Sequence, residues 1–128
     1  MREFDHEQLD VYRRALDFVV AANVIRQQLP QGRAALADQL DRASVSIVLN
    51  IAEGAGEFAV REKARFYRMA RRSATECAAI LDVATRLDLV RPAQIGPAKN
   101  LLRRIVAMLV ALGKTKEQQA EPQPMPEP

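Results

Sequence analysis

The chain has 128 residues, which is the size of one domain with a single modest core. Hydrophobic residues make up 48% of it, but aromatic residues only 5%, so the core must consist mainly of Ala, Leu, Ile and Val, as in a helical bundle. The last twelve residues contain three glutamates and no basic residue, which leaves 19 basic against 13 acidic side chains in residues 1–116, a balance compatible with polyanion binding.

The first predicted helix opens at a capping box, Asp5 with Gln8, and ends near Leu29, before Pro30 and Gly32. It carries two apolar stripes. One stripe holds Val11, Ala15, Phe18, Ala22, Ile25 and Leu29, and the other holds Leu9, Tyr12, Leu16, Val19 and Asn23. Two stripes predict two packing surfaces, one for the bundle itself and one for a neighbour.

The second helix, predicted from about Arg33 to Glu53, is apolar on nearly all sides. Its core-facing arc includes Leu36, Leu40, Ala43, Ser44, Ile47 and Ile51, and the opposite side holds Val45, Val48, Leu49 and Ala52. Such a helix is buried on more than one side, and a small chain cannot surround its own helix, so we predict contact with another copy. Gly54 and Gly56 are expected to end the helix in the left-handed conformation.

The third helix is predicted from about Ala59 to Leu87. Its heptad core stripe holds Phe66, Ala70, Ser73, Cys77, Ile80, Ala84 and Leu87. On the far face Arg61, Arg65, Arg68 and Arg72 repeat at steps of four, three and four, which places them along roughly 16 Å of helix at 1.5 Å per residue. We call these four residues the arginine line.

The fourth helix begins at Pro92 with a kinked first turn or, because proline disrupts a helix interior, only at Pro97. It is predicted to end at Gly113. Residues 114–128 hold four of the seven prolines, three glutamates and three glutamines, and therefore predict a disordered tail. Four long helices with short connections predict an all-α, antiparallel up-down-up-down four-helix bundle over residues 1–113. The ring-like homo-oligomer into which such bundles are expected to assemble is implied by the family resemblance described below.

The sequence offers little for catalysis or metal binding. His6 is the sole histidine and lies near the start of the chain, and neither a Glu-x-x-His pair nor a glycine-rich phosphate loop occurs. We therefore predict no enzymatic activity, no metal and no cofactor. Cys77, the single cysteine, excludes an intramolecular disulfide and is expected to be a small buried core residue.

The location of the protein follows from two further patterns. The first six residues lead into an amphipathic segment and not into the apolar run of a signal peptide. No stretch reaches the ~20 apolar residues that a membrane span requires. We therefore predict a cytoplasmic protein without membrane contact.

Several polar side chains fall near the predicted core. They are Ser44, Ser46, Asn50 and Glu53 on the second helix, and Ser73 and Glu76 on the third. A buried polar group without a partner costs roughly 1–3 kcal/mol, so we expect these groups to bond one another or helix-end backbone. The alternative is a ligand or metal site built on Glu53 and Glu76.

The start of the third helix is strongly basic. Between Arg61 and Arg72 five arginines and one lysine stand against one glutamate. The candidate nucleic-acid-binding residues are Arg61, Lys63, Arg65, Arg68, Arg71 and Arg72. Three interpretations are open, namely contact with nucleic acid or another polyanion, a solvated helix face, and contact with a protein partner.

Three motifs resemble those of one family. The run from Arg42 to Gly54, Arg-Ala-Ser-x-Ser-Ile-x-x-Asn-Ile-Ala-Glu-Gly, resembles the signature of the 23S rRNA intervening-sequence protein family. The segment from Phe66 to Glu76 is similar to its Phe-x-x-x-Ala-x-x-Ser-x-x-Glu element, and the opening Leu9-x-Val-Tyr-x-x-Ala is similar too. Together the resemblance covers about residues 4–112, and the first motif is specific.

The resemblance implies a bacterial protein that forms a closed ring of bundles, typically a homopentamer. Similar basic pentamers serve as accessory proteins of diversity-generating retroelements, where they bind a reverse transcriptase and nucleic acid. No enzymatic activity is established for the family. This sequence departs from the common pattern at Arg72, where the family often has Gly, and at Cys77, where Leu is commoner.

The leading hypothesis is a non-enzymatic homo-oligomer that binds RNA or DNA through its basic face. The alternative is a protein-protein adaptor or accessory subunit, for example for a reverse transcriptase, with no direct nucleic-acid role.

Overall fold

The computed structural model describes residues 3–120, with side chains over residues 3–115. Within that range it contains no strand and four α-helices, which are α1 (Asp10–Gln28), α2 (Ala34–Gly56), α3 (Val60–Arg86) and α4 (Pro92–Ala120). Each helix packs against the next in the chain, and α1 also packs against α4, so the four helices surround one core. The predicted all-α class and four-helix bundle are confirmed.

The bundle interior is filled mainly by aliphatic side chains, as the composition indicates. Each helix buries a stripe with steps of three and four residues. The largest fully buried hydrophobic side chains are Phe18, Ile25, Leu40, Ile47, Ile51, Leu81, Leu102, Ile105 and Leu109. None of the helices in the described range is long and apolar enough to cross a membrane.

The first helix begins later than predicted. Asp5–Gln8 form a separate 3₁₀ turn, and the backbone is extended at Leu9 before α1 begins at Asp10. The predicted capping box is therefore wrong, since an extended residue separates the turn from the helix. The turn is held against α1 by His6, whose ring centroid lies 4.6 Å from that of Tyr12.

The second helix does not stop at its first glycine. It runs to Gly56, and neither Gly54 nor Gly56 adopts a positive φ, so the predicted left-handed ending is wrong. Gly54 serves a close approach between helices. A Cβ atom on it would lie 2.8 Å from Cε1 of Tyr67 and 3.1 Å from Cβ of Phe66.

The buried stripe of α3 is broader than the predicted heptad. Ala70, Cys77, Ile80 and Ala84 are buried as expected, together with Ala64, Tyr67, Ala74 and Leu81. Phe66 and Ser73 are only partly buried, and Leu87 is 46% exposed, so its place in the core stripe is wrong. The reason is that α3 packs against both α2 and α4, which covers a wider arc than one neighbour would.

The fourth helix is longer than predicted at its C-terminal end. It begins at Pro92, continues through Pro97 and passes Gly113 to reach Ala120, so the predicted end at Gly113 is wrong. Residues 121–128 lie outside the described residues. The division into a bundle over 1–113 and a disordered tail over 114–128 stays a prediction, with residues 114–120 helical here.

Candidate nucleic-acid interface

The arginine line lies on the solvent side of α3. All four of its residues are exposed, because the steps of four, three and four keep them on the face opposite the buried residues Ala70, Ala74 and Ala84. The positions span eleven residues, or roughly 16 Å along the helix axis. This face therefore presents a row of cationic forks to solvent.

Arg65 is held in place by neighbours on its own helix, among them Glu62 and Phe66. Its Nε and Nη2 atoms donate hydrogen bonds of 3.1 and 3.0 Å to Oε2 of Glu62, and its guanidinium carbon lies 4.9 Å from the ring centroid of Phe66. An exposed ion pair of this kind contributes about 0–1 kcal/mol. Glu62 therefore orients the guanidinium without preventing an exchange for a stronger anionic partner.

Lys63 lies away from the arginine line and caps α2. Its Nζ atom donates hydrogen bonds to the backbone oxygens of Gly54, at 3.1 Å, and Ala55, at 2.7 Å. These carbonyls belong to the last turn of α2, where the helix dipole favours a cation, and the Gly54 oxygen also accepts a hydrogen bond from the Glu57 backbone N–H at 3.3 Å. The structure thus gives Lys63, a predicted nucleic-acid contact, a structural role.

Arg71 does not belong to the arginine line either. It is half-buried and lines a cavity between α3 and α4. Its position on the helix, three residues after Arg68 and one before Arg72, turns it toward α4. The six predicted basic residues therefore divide into the exposed arginine line, a helix cap and a residue beside a cavity.

The predicted polar residues meet in part. The hydroxyl groups of Ser46 and Ser73 lie 2.9 Å apart across α2 and α3, and Nδ2 of Asn50 donates to the backbone oxygen of Ser46 at 2.9 Å and to its Oγ at 3.0 Å. Ser44 instead donates to the backbone oxygen of Asp41 in its own helix, at 3.0 Å. The structure brings together Ser46, Asn50 and Ser73.

The two carboxylates are placed differently. Glu76 lines a groove of about 430 Å³ between α2 and α3, together with Ser46, Asn50, Met69, Arg72 and Ser73. Glu53 is exposed and does not line this groove. Among the described residues no three His, Cys, Asp or Glu side chains are grouped as metal ligands would be.

The groove joins polar residues of two of the motifs found in the sequence, since two come from the run Arg42 to Gly54 and three from the segment Phe66 to Glu76. The family model of the 23S rRNA-intervening sequence protein matches residues 7–111. The chain belongs to this family. No curated protein gives a significant match. The resemblance to this family is confirmed, and the likeness to accessory proteins of retroelements stays a prediction.

The thiol of Cys77 is chemically unreactive. The side chain of Cys77 is fully buried, and burial, with a smaller contribution from the Glu76 carboxylate, raises the pKa of its thiol to about 12. A thiol that stays protonated at neutral pH is a poor nucleophile. Cys77 therefore behaves as a small hydrophobic core residue.

Apolar side chains of α1 and α2 are exposed on the single chain. We call this set the apolar patch, and it consists of Leu16, Val20 and Val24 on α1 with Val45 and Leu49 on α2. Val20 is 66% and Leu49 is 58% exposed. Within each helix the members are four residues apart, so they share a face. Val20 and Val24 lie outside both predicted stripes of the first helix, although they follow Leu16 at steps of four residues.

Proposed function

We propose that this family member is a non-enzymatic, cytoplasmic homo-oligomer that binds RNA or DNA through the arginine line. The observation that carries the proposal is the exposure of four arginines on one face of α3. A guanidinium group offers a planar fork of donors that matches phosphate oxygens. Contact with phosphates does not depend on base sequence, so the proposed binding is general for polynucleotides.

The proposal includes an antiparallel, up-down-up-down order of helices. Gly54 of α2 faces Tyr67 of α3, whereas Ser46 of α2 contacts Ser73 of α3. The residue numbers therefore fall along α2 as they rise along α3. An ion pair of 2.6 Å between Lys99 and Asp82 supports the same order for α3 and α4, since the cavity beside Arg71 lies further toward the C-terminal end of α4.

The proposal also includes self-association through the apolar patch. Five aliphatic side chains are exposed, three in a row on α1 and two in a row on α2, and contact with another subunit would remove this apolar surface from water. A closed ring built from several copies of the chain repeats the arginine line once per subunit. Repetition of one charged face raises the local potential and therefore the rate and strength of polyanion binding.

The test compares two arginine pairs that remove the same charge. Arg61 and Arg72 lie at the two ends of the arginine line, and we expect the double variant Arg61→Gln, Arg72→Gln to weaken binding of a labelled single strand. Each lost phosphate contact lowers the slope of log K against log salt by about 1, so the slope falls by about 2. Fluorescence anisotropy across a salt series measures this slope.

The matched control is Arg91→Gln with Arg104→Gln. Both arginines are exposed, and they lie outside the arginine line, before and within α4. We expect this pair to keep most of the affinity and the salt slope. Equal losses of affinity in both double variants would show that only the overall charge matters, and this would contradict the proposed interface. Absence of RNA and DNA binding by the wild-type protein at low salt would contradict it too.

A further inference from the structure

The cavity between α3 and α4 combines a small volume with cationic walls. It holds about 150 Å³ and is lined by Tyr67, Arg68, Arg71, Leu109, Val110, Gly113 and Lys114. At a liquid volume of about 30 Å³ per molecule, this space corresponds to on the order of five waters. A tetrahedral phosphate, with four oxygens around one phosphorus, is of that size. Three of the seven lining residues are cations.

Two polar groups at this cavity have no partner among the described residues. Arg71 is half-buried, and its guanidinium makes no hydrogen bond or ion pair there. Tyr67 is 3% exposed, and its hydroxyl makes no hydrogen bond within the described residues, but the hydroxyl oxygen itself is not fully buried. Solvent therefore reaches both groups, and an anion that enters the cavity replaces this water with charge-assisted hydrogen bonds.

The cavity continues the proposed nucleic-acid interface. Arg68 belongs to the arginine line and also lines the cavity, so a strand that follows the arginine line meets the cavity at this residue. The tyrosine stays a donor at neutral pH, because burial raises the pKa of Tyr67 above its ordinary value. Guanidinium, ammonium and phenol groups together recognise a phosphate with more than one negative charge.

We propose that this cavity seats a phosphate monoester, the terminal phosphate of a bound nucleic-acid strand. The identification of the ligand as a strand end rests on the proposed function, whereas the binding of a phosphate anion in the cavity does not. Arg71 and Lys114 supply charge from two different helices, and Tyr67, which also lines the cavity, supplies a phenol donor. A terminal phosphate carries one more ionisable oxygen than an internal diester, so a pocket with several donors favours the strand end.

The experiment compares two short labelled strands that differ only in a 5′-phosphate or a 5′-hydroxyl, and then the same pair with a 3′-phosphate. We expect the wild-type protein to bind one of the phosphorylated strands about tenfold more tightly, as one additional charge-assisted contact provides. Arg71→Gln and Tyr67→Phe should reduce this preference while the unphosphorylated strand still binds through the arginine line.

A second variant blocks the cavity without changing its charge. Gly113 lines the cavity, and a Cβ atom on it would meet nothing within 4 Å. We expect Gly113→Leu to fill the space and to abolish the preference, while its replacement of a helical glycine maintains the fold. The matched control is Arg86→Gln, which removes an exposed arginine fifteen residues further along α3 and should leave the preference intact.

A parallel measurement separates this proposal from the proposed function. Inorganic phosphate, compared with chloride at equal ionic strength, should raise the melting temperature of the wild-type protein but not of Arg71→Gln. Strand binding without end preference or phosphate stabilisation would overturn the cavity proposal and leave the arginine line standing. Stabilisation by phosphate without strand preference would overturn the strand end as ligand and assign the cavity to a free phosphate. If no strand binds but phosphate still stabilises the wild-type protein, the proposed function and the strand end as ligand are both overturned, and the cavity is assigned to a free phosphate.

Discussion

Gly54 determines how closely α2 can approach α3. A methyl group at this position would lie 2.8 and 3.0 Å from ring carbons of Tyr67 and 3.1 Å from Cβ of Phe66. Because Tyr67 is buried between helices, its ring has little room to move. We expect Gly54→Ala to lower the free energy of unfolding, since overpacking costs about 1–3 kcal/mol and the better helix propensity of alanine returns about 1 kcal/mol.

Urea unfolding at one fixed protein concentration measures this change, because association contributes to the stability of any oligomer. The chain contains a matched control two residues away in the same helix. A Cβ atom on Gly56 would meet nothing within 4 Å, so Gly56→Ala should be neutral or slightly stabilising. Equal stability of the two variants would show that the contact between Gly54 and Tyr67 does not restrict the packing of the helices.

At the scale of the helices, Lys63 couples the end of α2 to the beginning of α3. Its ammonium group bonds two carbonyls of the last turn of α2 across the connection between the helices. A cation at a helix C-terminus contributes about 0.3–1 kcal/mol through the helix dipole, and its hydrogen bonds add to this. We expect Lys63→Met to destabilise the protein by about 1 kcal/mol in thermal or urea unfolding.

The comparison variant for Lys63 is Arg61→Met, which removes the same charge from an exposed position two residues earlier. It should leave the stability nearly unchanged and weaken binding of a labelled strand. We expect Lys63→Met to lower the stability and to leave strand binding nearly unchanged, because the Lys63 ammonium group is hydrogen-bonded to the carbonyls of α2. A Lys63→Met protein of wild-type stability with impaired strand binding would contradict the capping role.

The sequence predicts the helices well and several of their ends poorly. Apolar periodicity is a property of one helix, so the helices are predictable from the spacing of core residues such as Ile47, Cys77 and Ile105. Helix ends depend on neighbours. Gly54 looks like a helix stop in the sequence, yet in the structure it allows close contact with Tyr67 on another helix. The heptad pattern likewise cannot show that Leu87 lacks a neighbour that would bury it.

The candidate site follows the same rule. The arginine line is predictable because steps of four, three and four determine its face without reference to any other element. The positions of Lys63 and Arg71 are not, since one depends on the carbonyls of α2 and the other on the packing of α4. Lys114, on the far side of the cavity, is distant in sequence from α3, and only the packing of α3 against α4 brings it there.

At the scale of the whole molecule, the faces of the bundle differ in chemistry. The arginine line covers the outer side of α3, whereas the apolar patch lies on α1 and α2. Self-association through the apolar patch would therefore leave the arginine line of each subunit uncovered by that contact. This separation makes the two halves of the proposed function testable one at a time.

We expect Val20→Glu to break the assembly while the bundle stays folded. Val20 is 66% exposed on one chain, so a charge is tolerated in the monomer but is costly when desolvated at a subunit contact. The matched control is Val83→Glu, the same substitution at a valine of α3 that is 46% exposed and lies outside the apolar patch. Light scattering on a size-exclusion column should give a smaller mass for Val20→Glu alone, with unchanged helicity by circular dichroism. Loss of mass in both variants, or in neither, would remove the apolar patch as the contact between subunits.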